Sequence, residues 1–211
     1  MIISHQHRFI FIAIPKTGTH AIRFALREHL GQQDEEQVGL FKQSTLHHPE
    51  LAKLGHGHIT AHQGKMYLPC WKEYFKFSFV RNPYARLVSF GHFFYSKHPV
   101  MQKLPTLHLK KLLLFPPEKK RLWFQPQTDF LYDQEGNLQV NFVGKVEELQ
   151  GDYSQVCTKL HLPDTTLEKV NASSHRAFQQ YFDEELAEMA FHYYQKDFIA
   201  FDYAEDSWKT P

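Results

Sequence analysis

The chain has 211 residues, which is enough for one domain with a hydrophobic core of its own. Hydrophobic residues make up 42% and charged residues 22%, proportions that exclude a disordered or collagen-like chain. The formal net charge is +1, whereas proteins that coat nucleic acid are far more basic, so we expect no nucleic-acid partner. The 15 histidines raise metal binding and acid–base catalysis as candidate functions.

The sequence predicts neither a signal peptide nor a membrane span, and from this we expect a cytoplasmic protein. The apolar run over residues 9–14 is too short for either and ends at Pro15. Cys70 and Cys157 lie 87 residues apart in no metal-ligand spacing, which favours two separate thiols over a disulfide.

The first half of the chain predicts alternating strands and helices. Residues 8–14 are apolar, β-branched and aromatic, which is typical of a buried strand. In chain order we predict a strand at 8–14, a helix at 19–30, a short helix near 49–54, a strand at 57–61, a short helix or irregular segment at 64–75, a strand at 76–80 and a helix at 83–97. This alternation indicates an α/β sandwich with a parallel sheet.

The second half continues the pattern less regularly. Residues 133–137 predict a turn between two extended segments, and a strand follows at 140–145. Residues 147–162 have a helical pattern that stops before Pro163. Asp183 is a suitable N-cap for a last helix.

A candidate anion site lies where the first strand meets the first helix. The connecting segment consists of Pro15, Lys16, Thr17, Gly18, Thr19 and His20. Such a loop presents backbone N–H groups and the positive end of the helix dipole, to which Lys16 adds a charge. The triphosphatase P-loop is excluded because it places its lysine after a second glycine. Taken alone, the segment is equally typical of an ordinary strand-to-helix turn.

A second candidate anion site follows the strand at 76–80. Arg81 lies at the carboxyl end of that strand, where ligands gather in open α/β sheets. Arg86 and Ser89 are three residues apart on the next helix and share a face. An arginine fork with a hydroxyl suits a phosphomonoester, although for Arg86 an ion pair or a surface position is the favoured interpretation.

Together these segments resemble the sulfotransferases that use 3′-phosphoadenosine 5′-phosphosulfate (PAPS). The closest resemblance is to the carbohydrate branch that includes the heparan 2-O-sulfotransferases. Residues 15–19 are similar to the family's 5′-phosphosulfate loop, and residues 80–89 to its 3′-phosphate motif, with Arg81 and Ser89 in the ligand positions. Further similar segments lie at 142–149, Asp152, 171–173 and 194–203. His20 departs from the pattern, because many relatives have a small hydroxyl residue there.

The resemblance implies a fold, an activity and a set of ligands. The fold would be one P-loop-NTPase-like three-layer sandwich over residues 1–211, with a central, mostly parallel sheet flanked by helices. The activity would be transfer of a sulfuryl group from PAPS to an acceptor hydroxyl of a carbohydrate or another small or glycan acceptor, with no metal. The loop 15–20 and Arg81, Ser89 and Arg176 would bind PAPS, and Lys16 would stabilise the leaving phosphate.

Five histidines fall between residues 47 and 62, and the resemblance selects two of them. Residues 55–59, Gly-His-Gly-His-Ile, are similar to the stretch that carries the base in the heparan 2-O branch. That match implies that His58 is the general base and that His56 supports it. A zinc site formed by His56, His58 and His62 is the disfavoured alternative, because no HExxH motif or cysteine accompanies them.

Two further segments have open interpretations. Residues 101–121 contain six cations and the single acid Glu118, and predict either a solvated amphipathic helix or a surface for an anionic glycan or PAPS. Residues 123–127 combine an aromatic pair with amides and suit either a sugar pocket or the core. The alternative functions are a P-loop-like kinase or nucleotide hydrolase, and a non-catalytic relative that only binds nucleotide or glycan.

Overall fold

The computed structural model describes residues 1–38, 46–167 and 176–209. The strands are β1 (Ile2–Ser4), β2 (Phe9–Ile12), β3 (Glu35–Glu36), β4 (Phe75–Val80) and β5 (Phe142–Lys145). The helices are α1 (Thr19–Arg27), α2 (Pro49–Ala52), α3 (Ala61–Tyr67), α4 (Pro83–Tyr95), α5 (Pro99–Lys103), α6 (Pro105–Leu114), α7 (Arg121–Phe124), α8 (Thr128–Leu131), α9 (Leu149–Leu160) and α10 (Glu184–Ala200). Short 3-10 helices lie at Pro69–Lys72, Glu118–Lys120, Val146–Glu148 and Phe178–Tyr181.

The described residues group into two compact units. The first unit is drawn from the ranges Met1–Val80 and Asp129–Val170, and the second from Arg81–Thr128 and Asn171–Pro211. The expectation of a single sulfotransferase domain over 1–211 stays a prediction. Within the described ranges, no helix is both long and apolar enough to span a membrane.

The first unit is built on a mixed sheet with strand order β3-β1-β2-β4-β5. β2 pairs with β4 and β4 with β5 in parallel, whereas β1 is antiparallel to both β2 and β3. The α/β class is therefore confirmed. The two added antiparallel strands were not predicted, because each has only two or three residues and lies beside polar sequence.

Apolar contacts hold helices against this sheet. Every residue of β2 is buried, and the rings of Phe11 and Phe77 on neighbouring strands stack with centroids 5.2 Å apart. α1 contributes Ile22 and Leu26 to the same core, and α9 contributes Val156. This packing fixes the end of β2, and with it the start of the loop that leads into α1.

The strand predicted at 57–61 is wrong. Residues 57–60 have no regular structure, and Thr60 is the N-cap of α3. The Thr60 hydroxyl accepts the Gln63 N–H at 3.2 Å, and the Gln63 side-chain oxygen accepts the Thr60 N–H at 2.9 Å. This capping box ends the extended segment after only a few residues, so local capping outweighs the short apolar pattern.

In the second unit, α4, α6 and α10 surround an apolar core. The predicted N-cap of the last helix is confirmed, since the Asp183 carboxylate accepts the Leu186 N–H at 2.8 Å. Residues 101–121 do not form one helix. Pro105 begins a new helix after Leu104, whose φ of −138° is not helical, because proline lacks the N–H that a continuing helix requires.

Candidate active site

The loop after β2 contains two residues in the left-handed backbone conformation. Lys16 and Gly18 both have φ of 69°. Glycine adopts this conformation freely, but for a residue such as lysine it costs about 1–2 kcal/mol. Left-handed residues in turns direct successive N–H groups into anion-binding concavities, so the strain at Lys16 indicates a functional loop.

The loop leads directly into the amino end of α1. Gly18 is the N-cap and has no side chain to bond the first N–H groups of the helix. Thr19 begins the helix and is buried, and the Thr17 hydroxyl donates to the Ile14 carbonyl oxygen at 3.0 Å. The Thr17 hydroxyl hydrogen is therefore used within the protein, and the N–H groups of the helix backbone are the candidate anion donors here.

His20 lies near three positive side chains at this helix end. Its side chain is exposed in the first turn of α1. Partial desolvation, followed by the charges of Arg23, Lys16 and Arg27, lowers the pKa of His20. Of these causes, only the neighbouring positive charges also favour a bound anion, since desolvation disfavours charge of either sign.

His58 lies beside the strand that leads into this loop. Its Nδ1 is 2.7 Å from the carbonyl oxygen of Ala13, two residues before Pro15. A carbonyl oxygen only accepts, so Nδ1 carries the proton of the neutral ring and Nε2 carries the lone pair. Burial, with a further contribution from the charge of Arg23, lowers the pKa of His58 to about 3. His58 is therefore unprotonated at neutral pH, as a general base must be.

A buried arginine connects α1 to the segment that carries His58. The Arg23 guanidinium donates to the Glu36 carboxylate at 2.7 Å and to the carbonyl oxygens of Gln37 and Gly57 at 3.2 and 3.3 Å. A Cβ at position 57 would lie 2.0 Å from the Gln37 oxygen, so this approach requires glycine. Arg27 adds two bonds to Glu36, at 2.6 and 3.1 Å.

The sequence reasoning missed Arg23, Glu36 and Gln37. The Gln37 amide donates at 2.9 Å to the carbonyl oxygens of both Leu51 and His56. The only available signals were two arginines four residues apart on α1 and an acidic pair in a polar stretch. Neither signal identifies a partner, because the contacts join residues far apart in sequence.

The other two histidines of the candidate site differ in environment. His56 is partly buried, its Nδ1 has no hydrogen-bond partner among the described residues, and burial lowers its pKa. His62 is exposed on α3. Across residues 1–38, 46–167 and 176–209 no three His, Cys, Asp or Glu side chains form a metal-ligand group, so these histidines do not assemble the alternative zinc site.

In the second unit, the backbone of Arg81 is held by a buried glutamine. The Gln127 side chain accepts the Arg81 N–H at 2.8 Å and donates to the Arg81 carbonyl oxygen at 2.9 Å. The Asp197 carboxylate, fully buried on α10, accepts the backbone N–H groups of Gln127 and Thr128 at 2.8 and 2.9 Å. The Arg81 backbone is thus fixed on both sides while its side chain stays partly exposed.

The remaining predicted residues of this unit have distinct positions. Ser89 is buried on α4, and Arg176 is exposed, with its guanidinium carbon 5.6 Å from the centre of the Tyr181 ring. Arg86 is buried and donates to the backbone carbonyl oxygens of Gln125 at 3.0 Å and Trp123 at 3.2 Å. Arg86 thus has a structural role, and Trp123 packs against the core. The similar segment at 171–173 lies outside the described residues.

The family model described as "Sulfotransferase family" matches residues 1–204. The chain belongs to the sulfotransferase family. Comparisons with curated proteins and with solved structures gave no significant match. The family match confirms the resemblance found in the sequence and supports an enzyme that transfers sulfuryl groups. It also spans both candidate anion segments of this sulfotransferase, residues 15–20 and 81–89.

The first unit of the sulfotransferase thus combines two chemical features. One is a candidate anion site formed by a strained loop and a helix amino end, and the other is a neutral imidazole bonded to the carbonyl oxygen of Ala13, directly after β2. An anion site stabilises charge on a phosphate, and an imidazole accepts a proton from a hydroxyl. These are the two functions that sulfuryl transfer to an alcohol requires of a protein, by analogy with phosphoryl transfer.

Proposed function

We propose that this sulfotransferase transfers the sulfuryl group of PAPS to an acceptor hydroxyl, of a carbohydrate or of another small or glycan acceptor. His58 is the general base. The observation that carries the proposal is the 2.7 Å hydrogen bond between His58 and Ala13, which holds an unprotonated imidazole beside the strand that leads into the Lys16 loop.

The donor is bound through its two phosphate ends. Residues 15–20 bind the 5′-phosphosulfate with the N–H groups of the loop and of the first turn of α1, supported by the left-handed backbone at Lys16 and Gly18. Arg81 and Ser89 bind the 3′-phosphate, supported by the fixed backbone of Arg81. Arg176 contributes to nucleotide binding.

The chemical step moves one proton and one sulfuryl group. The acceptor hydroxyl gives its proton to Nε2 of His58 while its oxygen forms a bond to sulfur. The bond between sulfur and the bridging oxygen of the phosphosulfate breaks, and adenosine 3′,5′-bisphosphate leaves with the negative charge on its 5′-phosphate. Lys16 and the helix dipole stabilise that charge, so the scheme needs no metal.

The low pKa of His58 fits this role when the donor is bound. Desolvation is its main cause, followed among the lowering effects by positive neighbours that include Arg23. An anion at the adjacent loop favours the charged imidazolium and therefore raises the pKa toward the working pH. The base becomes stronger when the phosphosulfate is in place, which couples proton transfer to donor binding.

Calorimetry tests donor binding. Adenosine 3′,5′-bisphosphate is titrated into the wild-type chain, into Arg81→Ala and into Arg121→Ala, a matched control whose arginine is exposed in the same unit. We expect the wild type and the control to bind this nucleotide, and Arg81→Ala to lose at least tenfold in affinity for it. Adenosine 5′-monophosphate lacks the 3′-phosphate. It should therefore bind to the wild type as weakly as adenosine 3′,5′-bisphosphate binds to Arg81→Ala. No heat with the wild type would contradict the proposal.

Labelled PAPS identifies the acceptor. The wild-type chain is offered the labelled donor with glycans, lipids, phenols and small alcohols, and transfer is read as labelled product. Label on a glycan or an alcohol supports the proposal. Binding of the nucleotide without transfer to any member of the panel would instead favour a non-catalytic relative, and binding of ATP with Mg²⁺ in its place would favour a kinase or hydrolase.

A further inference from the structure

We propose that α6 and its flanking residues form a surface that docks onto an anionic lipid membrane. This docking face consists of Lys103, Leu104, Leu107, Lys111, Leu114 and Phe115. It lies within the basic stretch 101–121, which the sulfuryl-transfer site does not use, and the inference does not rest on the proposed function.

The docking face exposes an unusual concentration of large apolar side chains. Leu104 and Leu107 are each 56% exposed, Leu114 is 64% exposed and Phe115 is 71% exposed. Nine large apolar side chains are exposed among the described residues, and these four fall within twelve positions. Apolar side chains scattered singly over a surface need no explanation, whereas a contiguous group indicates a contact surface.

Helical spacing places these side chains on one side of α6. Positions 107, 111 and 114 are three or four residues apart, so they form one stripe along the helix, and Leu104 and Phe115 directly precede and follow α6. The opposite stripe, with Leu109, Leu112 and Leu113, is buried in the core of the second unit. α6 is therefore apolar on both faces, and its own fold accounts for only one of them.

Within residues 101–121, the charges near the docking face are mostly positive. Lys103, Lys111, Lys119 and Arg121 are exposed, and Glu118 is the single acid between residues 101 and 121. Lys110, on the edge of the stripe, is already paired with two acids from the start of α10, the carboxylates of Asp183 at 2.8 Å and of Glu185. A face that combines exposed leucine and phenylalanine with exposed lysine matches the surface of a lipid bilayer, in which anionic headgroups lie over an apolar interior.

The position of Lys111 selects the membrane among possible occupants. A second copy of the chain packed through this face would bring like charges together at Lys103 and Lys111. A partner protein with an apolar groove would have to bury Lys111, which lies between Leu107 and Leu114 on the same stripe. At a bilayer the leucines and Phe115 enter the headgroup boundary, while the lysine stem extends back to place its ammonium among lipid phosphates.

Vesicle sedimentation tests the proposal. The full-length chain is centrifuged with vesicles of phosphatidylcholine alone or mixed with phosphatidylglycerol, at low and at high salt. We expect the chain to sediment with the mixed vesicles and to be released from them by salt. Lys103→Gln and Lys111→Gln should each weaken this binding by roughly fivefold, and Leu107→Ser with Leu114→Ser by roughly tenfold or more.

A matched substitution distinguishes docking through this face from nonspecific adsorption of exposed apolar side chains. Ile199→Ser removes an equally exposed side chain, 73% exposed on α10, and should leave vesicle binding unchanged. All of these side chains are on the surface, and circular dichroism checks that each variant keeps the helix content of the wild type. Sedimentation with neither vesicle, or an equal loss in Ile199→Ser, would overturn the proposal.

Discussion

The Arg23 guanidinium donates to the carbonyl oxygen of Gly57 at 3.3 Å, and this bond ties the helix after the candidate phosphosulfate loop to the segment that carries His58. Both residues are in the first unit. The candidate anion site and the candidate base are thus linked through one buried side chain, whose other bonds go to Glu36 and Gln37.

Gly57→Ala should destabilise the protein. Its added Cβ would meet the Gln37 carbonyl oxygen at 2.0 Å, and a backbone atom cannot move aside as a flexible side chain can. We expect a loss of about 1–3 kcal/mol in the free energy of unfolding, measured by urea denaturation. Gly151→Ala is the control, because nothing lies within 4 Å of a Cβ in that helix, and it should be neutral or slightly stabilising. Equal stability of wild type and Gly57→Ala would contradict the packing described.

Arg23→Met should cost more stability than removal of an exposed arginine. The substitution removes the donor to three buried oxygen atoms, while Arg27 still pairs with Glu36, so we expect a loss of about 1–3 kcal/mol. Arg8→Met removes a pair with Glu73 in which both side chains are exposed, and should change stability by less than about 1 kcal/mol. Urea denaturation of both variants measures the difference, and similar losses would argue against a special role for Arg23.

His58→Ala should abolish most of the transfer activity without loss of nucleotide binding. Removal of a general base typically lowers kcat by roughly 10²–10⁴-fold. Labelled-sulfate transfer measures kcat, and calorimetry with adenosine 3′,5′-bisphosphate shows whether the donor site is intact. His62→Ala, which removes an exposed histidine four residues later, should keep wild-type activity. Full activity in His58→Ala would assign the base to another residue.

His58 should also make folding stability depend on pH. Its pKa falls from 6.5 to about 3 in the folded protein, so between these values the unfolded chain binds the proton and the folded protein does not. The free energy of unfolding therefore falls by about 1.4 kcal/mol per pH unit as the pH drops from 6.5 toward 3. Above pH 6.5 the titration of His58 has no further effect on it. Denaturation at several pH values should show a shallower fall for His58→Gln. Parallel curves would mean that His58 titrates normally in the folded protein.

Asp197→Asn should weaken the hydrogen-bond network that holds Gln127 against the Arg81 backbone. Both oxygens of the buried Asp197 carboxylate accept N–H groups from Gln127 and Thr128, so an amide would place a donor against a donor. We expect a stability loss of about 1–3 kcal/mol together with weaker binding of adenosine 3′,5′-bisphosphate. Asp206→Asn, an exposed position in the same unit, is the control for both measurements. Unchanged nucleotide affinity in Asp197→Asn would separate this network from the 3′-phosphate site.

Much of the fold followed from local sequence signals. The apolar run at 8–14, the helix pattern after Gly18 and the N-cap at Asp183 act over a few residues, and the structure has a strand or a helix at each. The wrong strand at 57–61 shows the limit, because a short apolar run has no strand partner unless the tertiary structure supplies one. Thr60 capped a helix instead.

The sequence by itself determined the family, and the resemblance to that family selected the loop at 15–20 and His58 as the candidate base, because motifs consist of residue types at fixed spacing. Only the tertiary structure decided that Arg23 joins α1 to Gly57, that Gln127 fixes Arg81, and that α6 presents a second apolar face. The reason is physical: a buried donor takes whichever acceptor the packed chain brings within reach, and a leucine is core or surface according to what lies against it.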